Sequence, residues 1–271
     1  MLKKLRKTLG GKKQPLELFD RYVSTTPSYQ NAIDVVPGWS SSLPARFGVK
    51  AGELATYADP RISWAIEQFG SLQDRDVLEL GPLEAGHTYM LEQAGARVDA
   101  VEANQLAFLR CLITKEILGL RRSRFWLGDF MRWLEDVDLS YDFIVASGVL
   151  YHLADPLRLI ELIAQRTSAV YIWTHLVWEG HMMPDNIRRQ IFAPEIEEHE
   201  FHGVTVRAYR RTYLDAHVDP AFCGGIRDEH RWLNREDVFK ALNAVGFREI
   251  RTAHDEPGHR FGPSLSIFAR K

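Results

Sequence analysis

The sequence predicts a doubly wound α/β fold with a mostly parallel sheet, and three observations carry that prediction. In Asp76-Val-Leu-Glu-Leu-Gly-Pro-Leu-Glu-Ala-Gly-His-Thr88, a short apolar run ends in an acid and a glycine-bearing loop, with a helical pattern behind it. A parallel strand passes to a helix in this way, and ligands sit beyond the carboxyl ends of such strands. The pattern then recurs: Arg97 to Val101 ends in Glu102, Arg124 to Leu127 ends in Gly128-Asp129-Phe130, and Tyr141 to Ala146 ends in Ser147-Gly148. Between the second and third strands, Leu106, Leu109, Ile113 and Ile117 form one helical face that stops near Gly119.

The remaining elements follow in order. Residues 1 to 15 carry Lys3, Lys4, Arg6, Lys7, Lys12 and Lys13 around Leu2, Leu5 and Leu9. They read as a solvated terminal helix, or else as a basic arm for phosphates or an anionic surface. Pro27, Pro37, Gly38, Pro44 and Gly48 mark an irregular covering stretch. Tyr57-Ala-Asp-Pro-Arg61 leads into an amphipathic helix through Ile62, Ala65, Ile66 and Phe69. Gly81 permits a sharp turn after the first strand, and Gly86 lets the next helix start against the sheet. Asp155-Pro156 caps a helix through Leu159, Ile160 and Ile163, and Ala169 to Thr174 is a fifth strand. Asn234 caps a helix through Val238, Ala241, Leu242 and Val245, closed by Gly246. Glu249 to Ala253 and Leu265 to Ala269 are the last two strands. The chain thus divides into an N-terminal arm and covering segment, 1–73, and a sheet domain, 74–271. Within the latter, 177–231 is too long for a simple connection and is expected to wall the active site and recognise substrate. Phe201 to Leu214 alternates β-formers (Val204, Val206, Tyr209, Tyr213) and is expected to add a hairpin.

Composition bounds the function. At 271 residues, 45% hydrophobic and 26% charged, the chain suits one large α/β domain with insertions. No apolar run approaches the ~20 residues that span a bilayer, and no charged-then-apolar leader is evident, so the expectation is a cytoplasmic protein. Cys111 and Cys223 have no metal-ligand spacing and form no disulfide framework. A net charge of -2 argues for neither nucleic acid nor membrane.

Glu79-x-Gly81, Glu102, Asp129-Phe130 and the run Tyr141 to His152 together resemble the class I S-adenosylmethionine-dependent methyltransferases, over roughly residues 74 to 175 with weaker support from 230 onward. The resemblance implies a Rossmann-like methyltransferase fold: a mostly parallel seven-stranded sheet whose last strand is antiparallel. It implies S-adenosyl-L-methionine as cofactor, with Glu102 on the ribose hydroxyls and Ala103 and Asn104 beside it. Asp129 and Phe130 would hold the adenine, and Glu79, Gly81, Pro82, Leu83, Gly86, Ser147 and Tyr151 would line the rest. The second loop glycine of the family is Leu83 here, and the third is displaced to Gly86. By the same resemblance the segment before the first strand folds over the cofactor, where Tyr57 or Arg61 would reach the methionine carboxylate. Packing and surface pairing are the other reading of these two.

Methyl transfer needs nucleophile, methyl and sulfur in line, and a base when the nucleophile is a hydroxyl or amine. His152 follows the fourth strand directly and titrates near neutrality, which makes it the first candidate base. A histidine that merely caps or packs beside the next helix is its alternative. His175 and Glu179, just past the fifth strand, are the other catalytic candidates, with His181 behind them. No metal is expected. His199-Glu200-Phe201-His202 lacks helical zinc spacing, and strand alternation is expected to put both histidines on one face without a third ligand.

The expected activity is methyl transfer to oxygen or nitrogen of a small-molecule or glycan acceptor. Ser147 to His152 and the Trp232 stretch also resemble the tRNA U34 carboxymethyltransferases. That likeness implies tRNA as partner and carboxy-S-adenosylmethionine as donor, with Tyr151 on the donor's carboxylate. A non-catalytic cofactor-binding subunit is a further reading, against which His152 and His175 speak. A nicotinamide enzyme is opposed by the missing G-x-G-x-x-G and by Asp129-Phe130. The oligomeric state stays open, a homodimer being one outcome.

Overall fold

The computed structural model describes residues 22–183, 185–187, 189–214 and 224–271; the basic run of 1–15 and Cys223 lie outside them. Helix α1 (Tyr29–Val35) precedes α2 (Pro60–Phe69), and strands and helices then alternate. They run β1 (Asp76–Leu80), α3 (Gly86–Gln93), β2 (Arg97–Glu102), α4 (Gln105–Leu118), β3 (Ser123–Leu127), α5 (Phe130–Asp136), β4 (Phe143–Ser147), α6 (Pro156–Arg166) and β5 (Ala169–His175). Three strands interrupt the series, β6 (Phe192–Phe201), β7 (Val204–Arg211) and β8 (His230–Leu233), before α7 (Arg235–Ala244), β9 (Glu249–Glu256) and β10 (Ser264–Arg270) close the chain. The main sheet has the order β3-β2-β1-β4-β5-β10-β9, with β1 to β5 parallel and β10 antiparallel to both neighbours. The doubly wound sheet with an antiparallel last strand is therefore as expected from sequence.

Period-two alternation splits the core across the two faces of this sheet. Leu78, Leu80, Ile144, Ile172 and Ile267 pack toward α5, α6 and α7 through Leu134, Leu159 and Ala241. Val77, Val98, Val145, Tyr171 and Phe268 pack the other way, against Ile62 and Ala65 of α2 and Leu91 of α3. Caps fall where sequence placed them: Asp155 accepts from the Arg158 N–H at 3.0 Å, and Asn234 accepts from that of Glu236 at 3.1 Å. No helix among the described residues is long and apolar enough to cross a membrane.

The inserted segment folds as its own sheet, β6-β7-β8. A hairpin is present, but its turn is at His202-Gly203, so β7 pairs backward with β6 rather than within 201–214. Strand β6 escapes a hydrophobic reading because it is an edge strand studded with Glu195, Glu197, Glu198 and Glu200, and its pairing shifts register between Phe192 and Ile196, next to Pro194. The buried Asp237 of α7 fixes this sheet to the rest by accepting from the Arg207 backbone at 2.9 Å and its Nε at 2.8 Å.

Candidate active site

The site is built from the carboxyl ends of the strands. Gly81 adopts φ 66°, and a Cβ there would lie 2.9 Å from Val149. Beyond it, Leu83 (φ 55°) and Ala85 (φ 62°) are also left-handed, which costs a residue with a side chain about 1–2 kcal/mol. Two partners hold this loop. The Pro82 carbonyl accepts from the Ala85 N–H at 2.9 Å, and the Glu102 carboxylate accepts from the Leu83 N–H at 3.1 Å. Glu102 also accepts from the Asn104 N–H at 2.8 Å. Burial raises the Glu102 carboxyl above its ordinary value, while those amide bonds pull the other way. Glu79, fully buried and likewise raised by desolvation, accepts from the Thr88 hydroxyl of α3. Asn104 caps α4 through the Ala107 N–H at 3.0 Å, and Asp129 caps α5 through that of Met131 at 2.9 Å, with Phe130 opening the helix. Gly86 lets Thr56 lie against α3, since a Cβ there would stand 2.5 Å from the threonine hydroxyl.

The segment before β1 is tied to this loop by buried polar contacts. Glu84, 1% exposed, accepts from the backbone of Ser40 at 2.8 Å and Ser41 at 2.7 Å. Tyr57 donates to the Glu84 carbonyl at 2.7 Å and packs with Ile33, Leu43 and Ile117, so its hydroxyl supports the loop from behind. Arg61 is engaged by Asp59 at 2.6 Å and lies 4.3 Å over the Trp173 ring. Burial pushes Asp59 up, but hydrogen bonds from His87 and Arg61 outweigh it and hold the carboxyl well below the usual range.

At the far ends of β4 and β5, aromatic and histidine rings gather. The 3-10 turn Leu150–His152 places Tyr151 4.7 Å from the His175 ring and 6.0 Å from Trp173 and Trp232. His175 stacks on Trp232 at 5.2 Å and 10°. Its Nδ1 faces the carbonyls of Gly262 (3.0 Å) and Pro263 (3.3 Å), which can only accept, so Nδ1 carries the proton and Nε2 the lone pair. Burial lowers His175 to about 4 and His152 to about 3. Both rings are therefore neutral at physiological pH. His152 Nδ1 meets the Tyr213 hydroxyl, which also accepts from the Gly225 N–H at 3.0 Å. Tyr213 in turn stacks on His230 at 4.0 Å. The inserted sheet is stitched to this end of the fold by Val177 N–H to the Leu233 carbonyl and Arg231 N–H to that of Leu153, both 2.9 Å.

Two candidates stand apart. Glu179 is half exposed and accepts from Tyr209 at 2.8 Å and Arg207 at 3.1 Å on the inserted sheet. His181 packs edge-on against Trp178 at 4.3 Å. His199 and His202 do not share a face: they are three residues apart, His199 pairs with Glu197, and His202 sits in the hairpin turn beside Glu161. Among the described residues no three His, Cys, Asp or Glu are arranged to hold a metal. Sequence reasoning passed over Arg211 and His230 and singled out the Trp232 stretch for its likeness to the tRNA U34 carboxymethyltransferases. Period-two spacing held a usable signal, because Tyr209 and Arg211 share one face of β7 and Tyr213 continues the spacing just past its end. Surface depressions elsewhere do not join this site. One of about 610 Å³ lies at the opposite edge of the sheet among Arg75, Asp76 and Asp142, and one of about 220 Å³ lies beside Asp155 and His199.

Neither a protein-family model nor a curated protein matches the chain. Solved structures do. The N-terminal domain of EvdMO1, solved in the presence of SAH and D-fucose, superposes with a TM-score of 0.65 at 21% identity, over 89% of this chain and 94% of that one. The same match spans 46% of the longer EvdMO1 structure. Magnesium protoporphyrin IX methyltransferase from Synechocystis PCC 6803 with bound SAM follows at 0.52 and 16% identity, covering 84% and 88%. The 1,6-didemethyltoxoflavin-N1-methyltransferase of Burkholderia thailandensis gives 0.50 and 15%, covering 80% and 78%. The fold is that of the class I S-adenosylmethionine-dependent methyltransferases. In this methyltransferase fold Gly81, Pro82 and Leu83 follow β1, Glu102 ends β2 ahead of Ala103 and Asn104, Asp129 and Phe130 follow β3, and Ser147 ends β4 ahead of Tyr151 and His152. His175 ends β5, so all stand on one rim of the sheet.

Proposed function

We propose that this chain transfers a methyl group from S-adenosylmethionine to an oxygen or nitrogen of a small-molecule acceptor, held between the rim of the main sheet and β6-β7-β8. S-adenosylmethionine, when bound, supplies an electrophilic methyl on a sulfonium. The residues on the rim fit that group. A carboxylate offers about four lone-pair directions, and the two amide bonds to Glu102 leave the others for ribose hydroxyls. Asp129 would accept from the adenine amino group, Phe130 would cover its face, and the left-handed loop through Leu83 would bring backbone close to the ligand. Ser147 and Tyr151 would flank the methyl.

The observation that carries the reading is the orientation of His175. Its protonated Nδ1 is fixed on two carbonyls, so a neutral ring keeps its lone pair on Nε2, in a ring that lies 4.7 Å from Tyr151 at the ends of β4 and β5. A lone pair there would accept the proton as an acceptor hydroxyl or amine attacks the methyl. His152 would orient the Tyr213 side of the pocket, and Glu179 carries no part in this mechanism. Trp173, Trp232 and the inserted sheet would keep water from the sulfonium. The likeness to a domain solved with D-fucose supports a sugar or another compact hydroxylated acceptor.

The test is turnover of methyl-labelled S-adenosylmethionine over a panel of hydroxylated sugars and phenols, with native protein and His175→Gln. Native turnover that falls about 100-fold in the variant, with cofactor affinity kept, is the expected result. Equal turnover in the two would remove His175 from the mechanism.

A further inference from the structure

Arg211 ends β7 with its backbone paired to His230 of β8 and Phe192 of β6. Its guanidinium carbon lies 4.8 Å from the Trp232 ring and 5.7 Å from that of Phe192. Every other arginine on β7 and β8 has an acid: Arg207 has Asp237 and Glu179, and Arg210 and Arg231 each have Glu197 and Glu229. Arg211 has none among the described residues, and its Nε is sealed without a hydrogen-bond acceptor. A half-buried guanidinium without a counter-ion is costly, and burial accordingly pulls its pKa below the ordinary value.

A second, independent deficit lies beside it. Trp232, 2% exposed, also buries its indole N–H with no acceptor. Around both stand His152, His175 and His230, each held toward its neutral form by burial, so none of these rings supplies a counter-charge. Among the described residues the wall has donors and a cation and lacks an anionic oxygen. His175 and Arg211 both lie against the one indole, which sets the cation on the same wall as the candidate base.

We propose that Arg211 binds a carboxylate carried by the methyl acceptor, which makes the acceptor a compact hydroxy or amino acid such as a uronic or hydroxyaromatic acid. This rests on the acceptor site described under Proposed function. The planar guanidinium fork matches a carboxylate in two parallel hydrogen bonds, and a neutral isostere would leave the cation unpaired.

The experiment is calorimetric binding of two matched pairs, D-galacturonate against D-galactose and 4-hydroxybenzoate against 4-hydroxybenzamide. It is run with and without saturating S-adenosylhomocysteine, on native protein, Arg211→Met and Arg211→Lys. In at least one pair the acid is expected to bind about tenfold or more tightly than its neutral partner. Arg211→Met is expected to abolish the preference and Arg211→Lys to keep part of it, with S-adenosylhomocysteine affinity unchanged in all three. Arg211→Met is also expected to melt no lower than native, because it removes a half-buried charge that has no acid among the described residues. Equal affinity for acid and neutral forms in both pairs would overturn the proposal, as would a preference that survives in Arg211→Met. If carboxy-S-adenosylmethionine alone shows an Arg211-dependent gain, the anion belongs to the donor and the acceptor assignment falls. Failure of native protein to bind S-adenosylhomocysteine would sink the methyltransferase reading instead, while the donor-free comparison still decides the role of Arg211.

Discussion

The Glu102 carboxylate accepts a hydrogen bond from the Leu83 N–H at 3.1 Å, tying the end of β2 to the loop after β1. Leu83 is left-handed there, at φ 55°. Leu83→Gly removes that strain but adds freedom to the unfolded chain, so its unfolding free energy is expected within about 1 kcal/mol of native. Leu83→Val places a β-branched residue at the same φ and is expected to lose more than about 1 kcal/mol. Urea unfolding of the pair checks this, and equal stability of the two variants would show that the loop does not hold this conformation.

Glu84 straps the covering segment down through the amides of Ser40 and Ser41, with Arg110 at 3.4 Å. Glu84→Ala leaves those buried amides and the guanidinium unpaired and is expected to cost about 3–5 kcal/mol. Limited proteolysis should then cut within residues 40–54 at protease levels that leave native protein intact. A native-like digestion pattern would contradict the strap.

Thr88 donates to the buried Glu79 carboxyl. Thr88→Val keeps the shape and removes the donor, so it is expected to destabilise by about 1–3 kcal/mol. Thr88→Ser should stay nearer native. Thermal melts of the two variants separate the hydroxyl from the methyl.

His175 titrates at about 4 when folded, against 6.5 as its ordinary value, because burial disfavours its charge. Between those values the unfolded chain binds a proton that the folded chain refuses, so stability rises with pH across the window and is lost as pH falls from 6.5 toward 4. Burial raises Glu79 and Glu102, which contribute a slope of the opposite sign. Comparing native protein with His175→Gln cancels them. The stability lost between pH 6.5 and 4.5 is expected to be smaller in the variant by about 2–3 kcal/mol. Parallel pH profiles would contradict a buried neutral His175.

Strands β1, β2 and β4 were legible because each is an apolar, largely buried run that stops at Gly81, Glu102 or Ser147; β5 was legible from its buried apolar run alone, and the exposed edge strand β3 from the Gly128-Asp129-Phe130 that follows it. The acids Glu79, Glu102 and Asp129 were legible for the same reason, as polar residues where an apolar strand stops. Strand β6 was not: with Glu195, Glu197, Glu198 and Glu200 on an edge, it forms through backbone pairing to β7 rather than through a buried face. The gathering of Arg211, Tyr213, His230 and Trp232 around His152 and His175 was not legible either. It depends on β8 returning beside the turn after β4, a contact between Arg231 and Leu153 far apart in the chain. Tyr57 was read as reaching the methionine carboxylate or as packing, and which of the two was not legible: its hydroxyl is taken by the Glu84 carbonyl, which only the fold brings near.

The most direct test of the account is calorimetric titration of S-adenosylhomocysteine into native protein and Glu102→Ala. The expected result is saturable one-to-one binding to native protein and a loss of about tenfold or more in the variant, since two or more hydrogen bonds to a charged group are removed. No binding to folded native protein, or equal binding to both, would contradict the assignment of this rim as the donor site.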